Sequence, residues 1–203
     1  MSQNSPNLPK EQLYAEMQER LSLLSTEEVI DYVFRDTIST CKNERFLTKL
    51  LKRTQHLPST AVIMLDICHF QRIDNKYGTR YGQKVLRTIA EVIHKNFPET
   101  ADVIRYYGDV FVVILYGVTS DDVLFHVSNV LSEISNIEFP EHPSVVLRAV
   151  TGGCITDELS LDALTSADIM LQKSKRSKLK GLFEQTTNSW SKEFSLDELG
   201  CYE

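Results

Sequence analysis

The apolar positions near the start of the chain recur with the period of an α-helix and predict a helical arm. One helical face is marked by four residues spaced four, four and three apart, namely Leu13, Met17, Leu21 and Leu24. Ser25 and Glu28 then have the spacing of a capping box, which begins a second helix. We expect the arm to span residues 10–35 after a disordered start at residues 1–9. It either packs on its own domain or serves as a signalling or dimerising stalk.

After the arm, apolar runs typical of strands alternate with amphipathic segments typical of helices. Residues 61–67 form an apolar run that indicates a central strand buried on both faces. Residues 103–106 and 110–116 are rich in β-formers, and the short segment between them contains Gly108, which predicts an antiparallel hairpin. The other predicted elements are helices at residues 44–55, 70–77, 83–96, 120–134 and 160–177 and strands at residues 144–155 and 181–184. This order predicts an α+β fold in which helices cover a mixed sheet, within one domain at residues 36–185.

Composition and charge narrow the classes of function. The chain has 203 residues, 42% of them hydrophobic, which suffices for one well-buried core. Its net charge of −6 gives no general attraction to nucleic acid, so we expect no nucleic-acid partner. The longest apolar run, residues 110–116, is far shorter than the roughly 20 residues that cross a bilayer. We therefore expect no membrane insertion. The four cysteines lack paired spacing, which suits a reducing compartment, so we expect a cytoplasmic protein. The excess of acidic residues near the end of the chain predicts an acidic tail at residues 186–203.

Several motifs of the predicted domain resemble one known family. Residues 105–111 read RYYGDVF, which is similar to the R-Y-G-G-D-E-F signature of the GGDEF family of diguanylate cyclases. Further similar segments follow the family's order and spacing, namely LDICHF at residues 65–70, IDNKYG at 73–78, GQKVL at 82–86 and the helix around Ala167 and Asp168. The resemblance spans residues 36–180. It implies a central mixed antiparallel sheet like the palm of nucleotidyl cyclases.

The resemblance also implies a reaction and a set of ligands. Diguanylate cyclases condense two GTP molecules into cyclic di-GMP on magnesium ions held by carboxylates. The matching positions are Asp66 at the end of the first long strand, and Asp109 followed by Val110 where the family has a glutamate. A valine side chain cannot ligate a hard cation, so we interpret Asp66 and Asp109 as vestigial metal ligands. No cofactor is expected with certainty, and magnesium would accompany only bound GTP.

Two further departures affect the predicted active site. Tyr107 replaces a glycine of the signature, and its phenol would occupy substrate space. Cys68 replaces an aspartate, and strand alternation places it on the same face as Asp66. It is either a small buried residue or a thiolate ligand for another metal. We therefore expect no intact catalytic set in the motif formed by Tyr107, Gly108, Asp109, Val110 and Phe111.

Nucleotide binding is a separate question from catalysis. The resemblance assigns guanine recognition to Asp74 and Gln83 and a phosphate contact to Lys175. It also assigns nucleotide binding to Gly108 in the hairpin turn. Asp74 can accept hydrogen bonds from the guanine edge, or it can merely end a helix. Lys175 can contact phosphate, or it can belong to a solvated basic helix face.

Three functional hypotheses follow from these residues. The first is a catalytically degenerate module that regulates cyclic di-GMP or nucleotide signalling through a protein partner or as a homodimer. The alternatives are a weak or atypical diguanylate cyclase and a GTP-binding sensor without turnover. The family's inhibitory R-x-x-D site corresponds to residues 98–101, which contain no arginine, so we expect no inhibitory cyclic di-GMP site.

Overall fold

The computed structural model describes residues 10–52, 54–187 and 190–198. Its helices are α1 Lys10–Ser22, α2 Thr26–Phe34, α3 Glu44–Leu50, α4 Phe70–Tyr77, α5 Thr79–Asn96, α6 Ser120–Ser135 and α7 Leu161–Ser177. Its strands are β1 Lys42–Asn43, β2 Gln55–Ile67, β3 Asp102–Tyr107, β4 Val110–Leu115, β5 Ala149–Leu159, β6 Leu179–Thr187 and β7 Trp190–Glu198. No helix in these ranges is both long and apolar enough to cross a bilayer.

The strands form one mixed sheet in the order β1-β3-β4-β2-β5-β6-β7. The long strand β2 lies at its centre and pairs antiparallel with both β4 and β5. Strands β3 and β4 form the predicted antiparallel hairpin, while β1 pairs parallel with β3 and β6 pairs parallel with β5. The predicted α+β fold with a mixed central sheet is therefore confirmed.

The two faces of the sheet bury two separate core layers. Alternate residues of β2 point to opposite faces, so Ile63 and Leu65 pack with α5 and α6 in the first layer. Val62 and Met64 pack with α3 and α7 in the second layer. Because β2 contributes to both layers, its long apolar run is explained by burial on both sides.

Helix α7 lies unusually close to β5 because the strand carries a glycine at the contact. A Cβ atom built on Gly152 would lie 2.0 Å from the backbone nitrogen of Leu171, which leaves no room for any side chain. The close approach fixes the position of α7 on the second face of the sheet. The side chains near the carboxyl end of α7 are thereby held beside the ends of the central strands.

The contacts that the structure describes between the arm and the domain lie at the carboxyl end of the arm. The capping box at Ser25 and Glu28 is confirmed, but α2 itself has no buried residue. At the end of α2, the Asn43 side-chain amide donates to the carbonyl oxygens of Val33 and Arg35 at 2.9 and 3.0 Å. The disordered start expected at residues 1–9 lies outside the described residues.

The structure differs most from expectation near the carboxyl end of the chain. In place of a tail beginning at residue 186, β6 and β7 form an antiparallel hairpin that widens the sheet. The physical reason is that the free edge of β5 offers unpaired backbone groups, which β6 satisfies by parallel pairing. Phe183 of β6 is fully buried in the first core layer. Residues 199–203 lie outside the described residues.

Smaller differences concern the ends of elements. Strand β2 begins at Gln55, and its register against β5 shifts between His56 and Thr60. The predicted helix at residues 44–55 therefore ends early, at Leu50. Strand β5 begins at Ala149, later than expected.

Candidate functional site

The candidate site lies where β2 ends beside the turn of the β3–β4 hairpin. Asp66, the penultimate residue of β2, is directly opposite Val110 in the sheet register. Asp109 precedes Val110 in the turn. Asp66, Asp109 and Asp74 of α4 all line one cavity of about 470 Å³. The structure thus brings together three of the carboxylates that the sequence singled out.

A lysine from α7 lies against the first of these carboxylates. The Lys175 Nζ atom is 2.7 Å from Asp66 Oδ2, and the two side chains are 30% and 16% exposed. The ammonium group therefore forms a partly buried ion pair. This differs from the alternative in which Lys175 lies on a fully solvated helix face. The contact joins residues on two elements that the sequence separates by more than 100 positions.

The second carboxylate is in a less favourable electrostatic environment. Burial raises the pKa of Asp109, and the charge of Asp66 raises it further, whereas the more weakly acting charges of Lys175 and Arg105 lower it. The two carboxylates therefore repel each other across the end of the sheet. Such a pair has one negative charge more than Lys175 alone can neutralise.

Val110 and Phe111 belong to the core rather than to the cavity. Val110 is only 2% exposed and packs in the second core layer, on the same face of the sheet as Asp66. Phe111 is fully buried in the first layer. In the described residues, no group of three or more His, Cys, Asp or Glu side chains could hold a metal ion.

An ion pair with Asp36 and a contact to the Gly108 carbonyl anchor the hairpin turn. The Arg105 guanidinium reaches both carboxylate oxygens of Asp36, at 3.2 and 3.1 Å. It also donates to the carbonyl oxygen of Gly108 from Nε and Nη2, at 3.0 and 2.7 Å. Arg105 therefore fixes the turn that carries Asp109 relative to the turn at residues 36–40 between α2 and β1, which we call the entry turn.

Asp36 is itself the centre of a compact hydrogen-bond network. Its Oδ1 atom accepts hydrogen bonds from the backbone of Ile38 and from the backbone and hydroxyl of Ser39. Burial alone would raise the pKa of Asp36, but the hydrogen bonds from Ser39 and the charge of Arg105 hold it below its ordinary value. In the sequence, Arg105 belongs to the RYYGDVF segment and Asp36 is the first residue of the predicted domain. Nothing local in the sequence links two positions that are 69 residues apart.

Tyr107 does not fill the cavity that Asp66 and Asp109 line. Its side chain is 52% exposed, and its ring centroid lies 4.9 Å from that of Tyr106. It borders a separate cavity of about 380 Å³ together with Asp36 and Arg105. Partial burial raises the pKa of Tyr107, and the charges of Asp168 and Asp66 raise it further. The phenol therefore stands at the rim, within electrostatic range of the site.

Cys68 lies one residue beyond the end of β2 and is half-buried. Its backbone N–H donates to the carbonyl oxygen of Arg148 at 2.8 Å, and its side chain packs against the second core layer. The prediction of a small packed residue is therefore close to what the structure has, although Cys68 is not fully buried.

The two residues assigned to guanine recognition lie on neighbouring helices. A Cβ atom on Gly82 would be 2.4 Å from Asp74 Oδ1, so this glycine allows the carboxylate to lie against α5. Asp74 also accepts a hydrogen bond at its carbonyl oxygen from the N–H of Gly78, at the end of α4. Gln83 follows Gly82 and is half-buried. Asp74, but not Gln83, is among the residues that line the cavity beside Asp66.

Comparison with known proteins gives one consistent result. The family model described as "Diguanylate cyclase, GGDEF domain" matches residues 33–180. Diguanylate cyclase DosC of Escherichia coli K12 is 26% identical over 133 residues, which are 63% of this chain and 27% of DosC. The chain thus spans about a quarter of that relative's length.

Two solved structures show the same fold. Diguanylate cyclase SiaD of Pseudomonas aeruginosa, solved in complex with its activator SiaC, superposes with a TM-score of 0.68 and 21% identity. The match covers 87% of this chain and 69% of SiaD. The coiled coil and GGDEF domain of DgcB from Caulobacter crescentus, solved with c-di-GMP, gives a TM-score of 0.65 at 19% identity. That match covers 87% of this chain and 95% of the DgcB chain.

Proposed function

Since this chain belongs to the GGDEF family of diguanylate cyclase domains, we propose that it is a catalytically degenerate member. In this proposal it regulates cyclic di-GMP signalling through protein contacts and does not synthesise the dinucleotide. The relatives named above are diguanylate cyclases, so the proposal depends on what differs in the site of this chain.

The observation that carries the proposal is the state of the carboxylates at the end of β2. Asp66 is paired with Lys175 at 2.7 Å, and Val110 fills the position opposite Asp66 with buried methyl groups. A magnesium ion needs several oxygen ligands in a near-octahedral arrangement. The described residues do not fit such an ion as they stand, because the Asp66 carboxylate is already paired with Lys175 and Val110 supplies no oxygen ligand. Without a bound metal ion, the attacking hydroxyl and the leaving pyrophosphate of a GTP condensation lack the charge stabilisation that the metal would supply.

A turnover assay tests this proposal directly. The full chain is incubated with GTP and either Mg²⁺ or Mn²⁺, and the nucleotides are separated by chromatography, with DosC assayed in parallel as the active reference. We expect no cyclic di-GMP above the level of an Asp66→Asn variant. Formation of cyclic di-GMP at a rate comparable to that of DosC, and its loss in Asp66→Asn, would refute the proposal. An equally low rate in the wild-type chain and in Asp66→Asn would indicate a contaminating enzyme.

A second candidate function is GTP sensing without turnover. The cavity of about 470 Å³ that is lined by Asp66, Asp74 and Asp109 keeps a hydrogen-bond acceptor suited to the guanine edge. Titration calorimetry with GTP decides this point, and Asp74→Asn is the matched variant. Binding heat that disappears in Asp74→Asn would support GTP sensing. No binding heat at high micromolar protein would exclude this function.

We also propose that cyclic di-GMP does not bind upstream of the hairpin. Residues 98–101 carry no arginine, and Glu99 would repel a phosphate. The nearby Asp102 is engaged by Lys42 and by the hydroxyl of Tyr116. Calorimetry with cyclic di-GMP is expected to give no heat, and saturable binding that depends on these residues would contradict the expectation.

The arm offers the surface for the proposed contacts. Ile30 and Tyr32 of α2 are exposed, and a groove of about 850 Å³ between α2 and α3 is floored by Phe34, Phe46 and Leu50. A signalling partner or a second copy of the chain would bury these apolar side chains. Light scattering of the full chain and of an Ile30→Asp variant distinguishes a homodimer from a complex with a different protein. A dimer mass that falls to a monomer mass in the variant supports a homodimer, and a monomer mass in both leaves a partner protein.

A further inference from the structure

The carboxylates at the end of β2 have a cation supplied by the chain itself. Lys175 is near the carboxyl end of α7, and its Nζ atom contacts Asp66 Oδ2 at 2.7 Å. Its charge also acts on Asp109, which shares the cavity with Asp66. The ammonium group is therefore paired with Asp66 beside a cavity that a second carboxylate also lines.

The backbone around this lysine is rigidly placed. Helix α7 packs on β5 so closely that a Cβ atom on Gly152 would overlap Leu171, one turn before Lys175. Asp66 is held in the sheet by pairing on both sides, opposite Val110 and Val150. Because both partners stand on elements of fixed position, the ion pair is a built part of the site.

We propose that the Lys175 ammonium is the resident counterion of Asp66 and excludes divalent cations from the cavity that Asp66 and Asp109 line. A divalent ion would have to displace the lysine from Asp66 and would then lie beside an unpaired ammonium group, which repels it. Removing the lysine charge leaves two carboxylates that line one cavity, which is a ligand set that Mn²⁺ and Mg²⁺ accept together with water. This inference deepens the proposed function but is tested without GTP.

The experiment measures Mn²⁺ binding to the full chain by loss of the free-ion signal in electron paramagnetic resonance. We expect the wild type to bind weakly and Lys175→Met to bind about tenfold more tightly or better. Lys173→Met is the matched control, because Lys173 is also on α7 and pairs with the exposed Glu193 at 2.9 Å. It removes the same charge and is expected to leave Mn²⁺ affinity at the wild-type level.

Two more variants assign the new site. Lys175→Arg keeps the positive charge and is expected to exclude Mn²⁺ as the wild type does. Adding Asp66→Asn to Lys175→Met is expected to abolish the gained affinity. Circular dichroism shows whether each variant is folded, and Lys175→Gln replaces Lys175→Met if the latter is not.

The proposal is overturned by any of three results. These are no gain in Mn²⁺ affinity in Lys175→Met over the wild type, an equal gain in Lys173→Met, and a gain that persists when Asp66→Asn is added to Lys175→Met. Its failure is distinguishable from failure of the proposed function. A chain that makes cyclic di-GMP would refute the proposed function whatever the affinity for Mn²⁺ alone, and tight Mn²⁺ binding without turnover would refute only this inference.

Discussion

A half-buried carboxylate such as Asp36 stays ionised only where donors and cations surround it. Ser39 and Arg105 supply both, and together they tie the entry turn of the domain to the hairpin that carries Asp109. The Asp36 and Arg105 side chains are 18% and 13% exposed, so solvent screens their attraction less than it does at the surface. The same guanidinium also holds the carbonyl of Gly108, so one residue positions the whole turn.

The first prediction concerns the stability that Asp36 contributes and its dependence on pH. Because the pKa of Asp36 is lowered in the folded state, its contribution is fully present above its unfolded pKa and is lost as pH falls through the folded pKa. We expect Asp36→Asn to reduce the free energy of unfolding by about 2 kcal/mol at neutral pH. Below about pH 4 the difference from wild type should shrink. Urea denaturation at several pH values measures both effects.

A surface pair provides the control for this prediction. Asp31 also pairs with an arginine, Arg35, but the two side chains are 55% and 53% exposed. We expect Asp31→Asn to change the free energy of unfolding by less than about 0.5 kcal/mol. Equal losses in the two variants would show that the Asp36 network has no special role.

Helices that begin with the same motif differ in how firmly the domain holds them. Both α2 and α6 start with a capping box, at Ser25 and Glu28 and at Thr119 and Asp122. Helix α6 buries five residues, whereas α2 buries none. Local capping therefore sets the start of each helix. Tertiary packing decides whether the loss of a cap lowers the stability of the whole domain.

The second prediction separates these two contributions. Thr119→Ala should lower the free energy of global unfolding by about 1 kcal/mol, because α6 unfolds with the core. Ser25→Ala should leave that quantity unchanged and should speed hydrogen exchange only within α2. Urea denaturation measures the free energy of global unfolding, and hydrogen exchange with mass spectrometry measures the local opening of α2. A global loss in Ser25→Ala would mean that the arm is packed more tightly than the structure has it.

At the scale of the whole molecule, the sheet extends beyond the matched family region. The family match ends at residue 180, but β6 continues to Thr187 and buries Phe183 completely against the first core layer. A Cβ atom on Gly153 would meet the Phe183 ring at 2.9 Å, so the ring lies directly on β5. Strand β6 is thus an integral part of the described domain, and β7 pairs with it along the outer edge.

The third prediction tests this extension. Phe183→Ala should cost about 3 to 5 kcal/mol of stability, because it leaves a cavity in the core. Phe125, which is 63% exposed on α6, is the matched control, and Phe125→Ala should change stability by less than about 0.5 kcal/mol. Thermal and urea denaturation compare the variants. A small effect of Phe183→Ala would show that β6 is only loosely held on β5.

Local and periodic features of the fold could be predicted from the sequence. The hairpin at Gly108, the buried central strand and the capping box at Ser25 each depend on residues within about a dozen positions of one another. The acidic composition near the carboxyl end favoured a tail, whereas β6 and β7 form there because the edge of β5 offers backbone pairing. Composition alone carries no information about an unpaired edge elsewhere in the fold.

The sequence by itself determined the family, the α+β class and the identity of the carboxylates that meet at the site. Only the tertiary structure decided what those carboxylates contact, because the partners are distant in the chain. Lys175 reaches Asp66 through the close packing of α7 on β5, and Arg105 reaches Asp36 across the first turn of the domain. Residue types fix which charges are available, and the packing of helices on the sheet fixes which of them neutralise one another.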